Sequence, residues 1–411
     1  MEIVEREAGT RYAISESHTP MVAAGPLASP YAKTFAVLLR GAARRPPGAA
    51  TPQHAPPPPL AGLRDPALDP LRKAFLAALR QVSRPGRAIL FVSGTPSPAA
   101  VVAEVMAEIA RSLEVIVVPS SGVLTEGGEA ENVAAVAGVI LGGRPGSVAV
   151  GDHAEDLARA LDGAKNLVVF HAAESFEQAE LDALSRGRSS VFGAGAPGGA
   201  VWSVRGGVVT MGRIAAMRLD GGAPIVEASA ACKLVSEPLP VTEMDRSFVV
   251  RLGDEPALDA MSSRAGGGRF GGLILLAIHD KTDPTRFLVR SLRGIDPGRK
   301  AISVAGHVEV GDTISFAVRD ATAAREGLTE AARRAERQAL GSTPTFALFL
   351  SCAGRGRALY GEPDGDVRVL RRCFPKLPIA GMHGAFEIVP DPAGARMQLM
   401  SGVIALFRAA S

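Results

Sequence analysis

Short, uninterrupted apolar runs and one long apolar stripe set the first expectations. Residues 88–93, AILFVS, are apolar over a strand's length and close on Gly94, the pattern of a strand buried on both faces. Ser97 then offers an N-cap and Pro98 a first helical position, while Val101, Val102, Val105 and Ile109 recur at helical spacing. Residues 115–118 read as a second buried strand. Strand, helix, strand in this order predicts a right-handed crossover joining two parallel strands. The turns at 119–122 and 125–128 then occupy a rim at the strands' carboxyl ends, where ligands gather in such sheets.

Further strands are expected over 133–141, 167–170, 190–192, 201–204 and 214–219, with hairpins at the glycines of 193–199 and at Gly206 and Gly207. The glycine-rich run 265–272 precedes the strand 273–278, whereas a dinucleotide loop follows a strand and opens a helix. It reads as an entry into that strand. Asp320 caps a long helix with Ala321, Ala324, Leu328, Ala331, Ala335 and Ala339 on one stripe, ended by Gly341. Glu330 and Arg334 stand i,i+4 in the favourable order, and 346–350 returns as a buried strand.

At 411 residues the chain exceeds one ordinary hydrophobic core. The pattern predicts an α/β protein of the mixed α+β kind, two strand-rich halves with layered mixed sheets and flanking helices, over 86–236 and 237–408. Residues 1–85 form an N-terminal extension. Its segment 41–59, rich in proline, cannot propagate a helix or a central strand and reads as a linker. Upstream of it, residues 31–39 add one edge strand or helix to the body. The first 60 residues are expected to be dispensable for folding.

A net charge of +3 with 45 basic and 42 acidic residues interspersed, and an aromatic content of 5%, leaves no footprint for nucleic acid. Acidic residues at the start argue against a secretory signal. No apolar run approaches the roughly 18 residues of a membrane span. Cys232, Cys352 and Cys373 lie far apart without a Cys-x-x-Cys pair, which fits a reducing compartment. A cytoplasmic, soluble protein is expected. No Gly-x-x-x-x-Gly-Lys-Ser/Thr sequence occurs, so a P-loop is not expected.

The richest segment follows the 346–350 strand. There Ser351-Cys352-Ala353-Gly354-Arg355-Gly356 is followed by Asp364-Gly365-Asp366-Val367, by Pro378-Ile379-Ala380-Gly381, by Glu387-Ile388 and by a closing Ala405-Leu406-Phe407. This succession resembles the C-terminal FIST region. The likeness extends back through residues 275–278, 287–290, 294–296, 311–313 and Arg319-Asp320. Residues 231–233, with Val241-Thr242 and 256–258, are similar to the step joining the family's two regions. Residues 121–128 resemble the glycine-rich loop of FIST N, with Pro119 near the place of a cysteine. Coverage is about 86–408. Two positions depart from the pattern: Ala353 before Gly354, and Phe386 before Glu387.

The resemblance implies a sensory or signal-transduction role with a small-molecule ligand, a signalling partner and no catalysis; haem is implied for some members. The ligand-binding residues it points to are Ser121, Gly122, Cys352, Gly354, Arg355, Gly356, Gly381, His383 and Glu387. Arg355 can clamp a carboxylate or phosphate through its fork. Arg357 shares its glycine-rich turn as a second, solvated charge. Glu387 is expected to hold a donor or cation and to pair with Arg355 when no ligand is bound. His383 is either a ligand to haem iron or a turn histidine between glycines. Cys352 is either a small buried residue or the nucleophile of a Cys-dependent hydrolase or transferase, which needs a base and an electropositive setting. His279, with Asp280 and Asp283 nearby, has metal-ligand donors without metal-site spacing. A ligand-free protein-interaction scaffold is the remaining alternative.

Overall fold

The computed structural model describes residues 32–39, 65–143, 147–219, 223–265, 274–281, 287–392 and 394–408. The Pro-rich run 41–59, the glycines of 266–272 and Asp283 lie outside them.

Because side chains alternate along a strand, each buried run feeds two clusters. In strand Pro85–Ser93, Ile89 and Phe91 face one cluster and Ala88, Leu90 and Val92 another. Strand Asn166–Ala172 sends Val168 and Phe170 into the same first cluster and Leu167 and Val169 away from it. Strand Pro344–Cys352 does likewise, with Phe346, Leu348 and Leu350 inward and Ala347 and Phe349 outward. Three sheets therefore share one core, and helices cover their outer faces. Asp69–Leu79 and Ala99–Ile109 cover the first, Ala154–Ala160 and Gln178–Ser185 the second, and Ala321–Gln338 with Gly365–Cys373 the third.

The first sheet runs Ala32–Leu38, Ala135–Gly142, Pro85–Ser93, Glu114–Ser120, Val201–Arg205, Val208–Gly212. Its Pro85–Ser93 and Glu114–Ser120 strands are parallel, as the crossover pattern predicts. The second runs Gly394–Gln398, Glu387–Asp391, Ser190–Ala196, Asn166–Ala172, Ile214–Arg218, Val148–Gly151. The third runs Ile225–Ala230, Ser401–Arg408, Pro344–Cys352, Ile379–Gly384, Gly122–Thr125, Gly128–Glu131. In the fourth, Thr313–Arg319, Leu239–Asp245, Phe248–Leu252, Ala301–Val304, Phe287–Asp296 and Ile274–His279 pair in succession, and the last pairs back onto the first. This ring encloses Val241, Val249, Leu276, Ile302 and Phe316 under helix Ala257–Ala265.

The mixed α+β architecture matches the expectation, but the sheets do not divide at residue 236. Gly122–Thr125 pairs with Ile379–Gly384, and Glu387–Asp391 pairs with Ser190–Ala196, so the second and third sheets draw strands from both sides of that point. The extension also takes part. Ala32–Leu38 pairs residue for residue with 135–141 and is buried almost throughout, and Phe35 meets Phe75 of helix Asp69–Leu79 edge-on at 5.8 Å.

Several local expectations need correction. Residues 122–131 form a hairpin inside the third sheet rather than a rim loop, because Gly122–Thr125 finds an unpaired strand edge 250 or more positions downstream. Gly193 and Gly195 lie within strand Ser190–Ala196, whose successor belongs to another sheet, so 193–199 is no hairpin. Gly206 and Gly207 do turn one. The helix expected after Ser97 starts one position later, with Pro98 at the N-cap. Asp320 does cap its helix, accepting from the Ala323 N–H at 2.7 Å. Arg334, however, reaches Glu227 at 2.8 Å and Glu330 reaches Arg337; the neighbouring strand offers a less exposed partner than the helix's own surface.

Candidate functional site

Strand Pro344–Cys352 lies parallel to Ile379–Gly384, which sets Ser351 beside His383 and Cys352 beside Gly384. On the other side of His383 stands Gly122, and the Ser121 N–H donates to the His383 carbonyl at 2.9 Å. A Cβ on Gly122 would stand 2.8 Å from Cδ2 of His383; only a glycine lets the imidazole lie across that strand. After Cys352 the chain turns through Gly354 and Arg355 into the short helix Gly356–Tyr360, then through a left-handed Asp364 into Gly365–Cys373.

Arg355 and Asp366 form the centre, each with a fully buried side chain. Nε of Arg355 donates to Oδ2 of Asp366 at 2.9 Å and Nη2 to Oδ1 at 2.7 Å. Nη2 also donates to the Tyr360 hydroxyl at 2.9 Å and to the Ala324 carbonyl at 3.4 Å, and Nη1 donates to the Ser229 carbonyl at 3.4 Å. Tyr360 and Ser351 donate to Asp366 at 2.5 and 3.1 Å. Burial pushes the Asp366 carboxyl up, but the Arg355 charge and its hydrogen bonds outweigh that and hold it below the usual range. The guanidinium ties strand Ile225–Ala230, helix Ala321–Gln338 and the 351–366 segment together.

Expected and observed pairings differ at Glu387. It does not pair with Arg355; its Oε2 accepts from the Ser401 hydroxyl at 2.5 Å and from the Ser401 N–H at 3.3 Å. Asp366, in the first turn of helix Gly365–Cys373, instead takes the guanidinium with both carboxylate oxygens. Burial raises Glu387 well above the ordinary carboxylate range. Cys352 is 4% exposed. Burial, then the nearby Glu387, pushes its thiol up to about 12, the opposite of the setting that makes a thiolate.

The hairpin 122–131 supplies residues that the sequence reading did not single out. Glu129 both donates to and accepts from the 364–367 segment: its N–H donates to Oδ1 of Asp364 at 2.7 Å, while its Oε1 accepts from the N–H groups of Asp366 and Val367 at 3.1 and 2.9 Å. A carboxylate at the first turn of Gly365–Cys373 also suits the helix dipole. Glu131 Oε1 accepts from the Arg357 N–H at 2.8 Å. Gly356, at φ +26°, leaves the space this carboxylate fills, where a Cβ would stand 2.4 Å from Oε2 of Glu131. Burial, then the Asp366 charge, raises Glu129 to about 8.

His383 is 1% exposed, and among the described residues neither ring nitrogen has a hydrogen-bond partner. Oε2 of Glu129 lies 3.8 Å from Nε2 and is itself unpartnered. The Cys352 backbone favours the charged ring weakly, short of a formed hydrogen bond. Burial nevertheless lowers the His383 pKa against the pull of Glu131 and Asp366, which favours the uncharged ring.

The structure thus gathers Gly122, Cys352, Arg355, Gly356 and His383 at one seam, with Ser121 exposed at its rim and Arg357 exposed beside it. Gly354 packs under Met400, and Gly381 lies against the Phe349 backbone. Glu387 sits behind the seam with Ser401. His279 ends its strand, buried, with Nε2 2.8 Å from the Ser315 hydroxyl. The signal that pointed to the missed acids was faint: Glu129 and Glu131 alternate within a four-residue strand, and Asp366 stands inside the Asp-Gly-Asp-Val step.

No helix among the described residues is long and apolar enough to cross a membrane. An uncharacterized protein of Mycobacterium tuberculosis is 32% identical over 214 residues, covering 49% of this chain and 55% of that protein. An uncharacterized protein of Mycobacterium bovis is 31% identical over 216 residues, covering 49% of this chain and 54% of that protein. The chain spans about half the length of the curated relatives it matches. Among known families, the FIST C domain matches residues 260–390, and no FIST N domain is detected. A FIST C domain is therefore found at residues 260–390, and it contributes Ser351, Arg355, Asp366 and His383 to the buried polar seam.

Proposed function

We propose that this protein is a ligand-responsive sensing module in signal transduction, and that its ligand acts at the seam between the 122–131 hairpin and the FIST C domain. FIST C domains are generally associated with such sensing. The observation that carries the reading is the assembly of Glu129, Glu131, His383 and Gly356 from segments more than 200 residues apart, with a buried imidazole left unpartnered. A ligand that engages both sides changes how the hairpin sits on the domain, which is a physical basis for a signal.

The charges refine the ligand class. Arg355 directs its fork at Asp366, so a carboxylate clamp at Arg355 is not supported; Glu129 and Glu131 instead favour a ligand that presents a cationic or electron-accepting group. The high pKa and burial of Cys352 support the non-catalytic reading. The test is a thermal-shift panel of amines, amino acids, organic acids and haem on the full chain. At least one member should raise the midpoint, and Glu131→Gln should abolish that rise. Silence across the panel, or a rise untouched by Glu131→Gln, sinks the reading.

A further inference from the structure

Glu129, Glu131 and His383 each offer one donor atom within 4.8 Å of the others. We propose that these three residues form a binding site for a divalent first-row transition cation, most simply zinc, with a coordination position left for an exogenous ligand. This deepens the sensing reading and rests on it only for what occupies that open position.

Three features carry the inference. Each carboxylate is anchored through Oε1 to backbone N–H groups of 357–367, which leaves Oε2 for another partner. Such outer anchoring orients metal ligands. His383 is buried with both nitrogens unpartnered, and Oε2 of Glu129 is likewise unpartnered although its side chain is only 1% exposed; buried polar atoms are rarely left so. Among the described residues no Lys or Arg pairs with Glu129 or Glu131, because Asp366 takes Arg355. A dication facing two carboxylates and a neutral imidazole balances the seam.

The donor set selects the metal class. One imidazole nitrogen with two carboxylate oxygens suits zinc and its first-row neighbours better than calcium or magnesium, which take oxygen ligands. Bonds of roughly 2.0–2.2 Å require the donors to close in by rotamer adjustment, and three protein ligands leave a fourth tetrahedral position open. Half-buried Glu131 beside exposed Ser121 and Arg357 provides the entry side. A carboxylate-bearing ligand, repelled by the bare acids, would then bind the metal.

The test uses the full chain stripped with EDTA and dialysed, then titrated with Zn²⁺ against a chromophoric chelator, and with Co²⁺ followed by its visible absorption. One ion per chain is expected. Glu131→Gln and His383→Gln should each weaken binding at least about tenfold and alter the Co²⁺ spectrum, while Glu362→Gln, on the surface, should change neither. His383→Gln risks misfolding, so the partly exposed Glu131→Gln, checked by circular dichroism, decides alone. No competition with the chelator, or binding unchanged in Glu131→Gln, overturns the site. Repeating the ligand panel on zinc-loaded and stripped protein separates the two claims. Zinc uptake with no panel response upholds the metal site and removes the organic-ligand reading; a panel response without zinc uptake overturns the metal site and leaves that reading standing.

Discussion

Arg355 donates two parallel hydrogen bonds to Asp366, 2.9 and 2.7 Å long, with no part of either side chain open to solvent. Removing one member of such a pair leaves an uncompensated buried charge. Arg355→Ala is therefore expected to lower folding stability by about 3–5 kcal/mol, measured by urea denaturation. Arg355→Lys should rescue little, because an ammonium cannot reproduce the fork. A loss under about 1 kcal/mol, the ordinary surface scale, would mean that the pair does not hold the seam.

Stability of the metal-free protein should fall as pH rises from about 4.5 to about 8. Glu129 is raised from 4.5 to about 8 in the folded state, so the unfolded chain releases its proton first, and the contribution present below 4.5 disappears as pH climbs through the folded value. Glu387, also raised, acts in the same direction. Asp366 has the opposite sign: its contribution is present above 3.8 and is lost as pH falls through its depressed folded value. Denaturation at pH 5, 6.5 and 8 should show the decline, and Glu129→Gln should flatten it. An unchanged slope in that variant removes Glu129 as its source.

Truncation of residues 1–60 should destabilise the protein, because it deletes the strand Ala32–Leu38 and strips a buried edge from 135–141. Phe35→Ala alone should cost about 3–5 kcal/mol, the usual scale for emptying a buried aromatic site. Urea midpoints of the truncated and point variants provide the check. Wild-type stability in both would restore the reading of a dispensable extension.

Thiol reactivity should order as Cys373 before Cys232 and Cys352. Burial raises all three thiols, but Cys373 is only half-buried whereas the other two are buried and raised to about 12, and the thiolate is the reacting species. Timed iodoacetamide labelling with peptide mapping reads this directly. Cys352 alkylated faster than Cys373 in the native protein at pH 7 would revive the thiol-dependent enzyme.

The sequence by itself determined what neighbouring residues can decide. The stripe Ala324, Leu328, Ala331, Ala335 and the Asp320 cap specify a helix because helical periodicity and capping act within a few positions. The apolar run at 346–350 specifies a buried strand for the same reason. The motif around Arg355 and His383 marked the FIST C segment. Which groups meet was decided by tertiary structure alone. Glu129 and Asp364 lie 235 positions apart, and nothing local distinguishes a hairpin on a sheet edge from a glycine-rich loop. The sequence pointed Arg355 at Glu387, and only the packing of helix Gly365–Cys373 gave it Asp366 instead. Hydrogen-bond and charge partners follow from distance in space, and strand pairing between remote segments sets those distances.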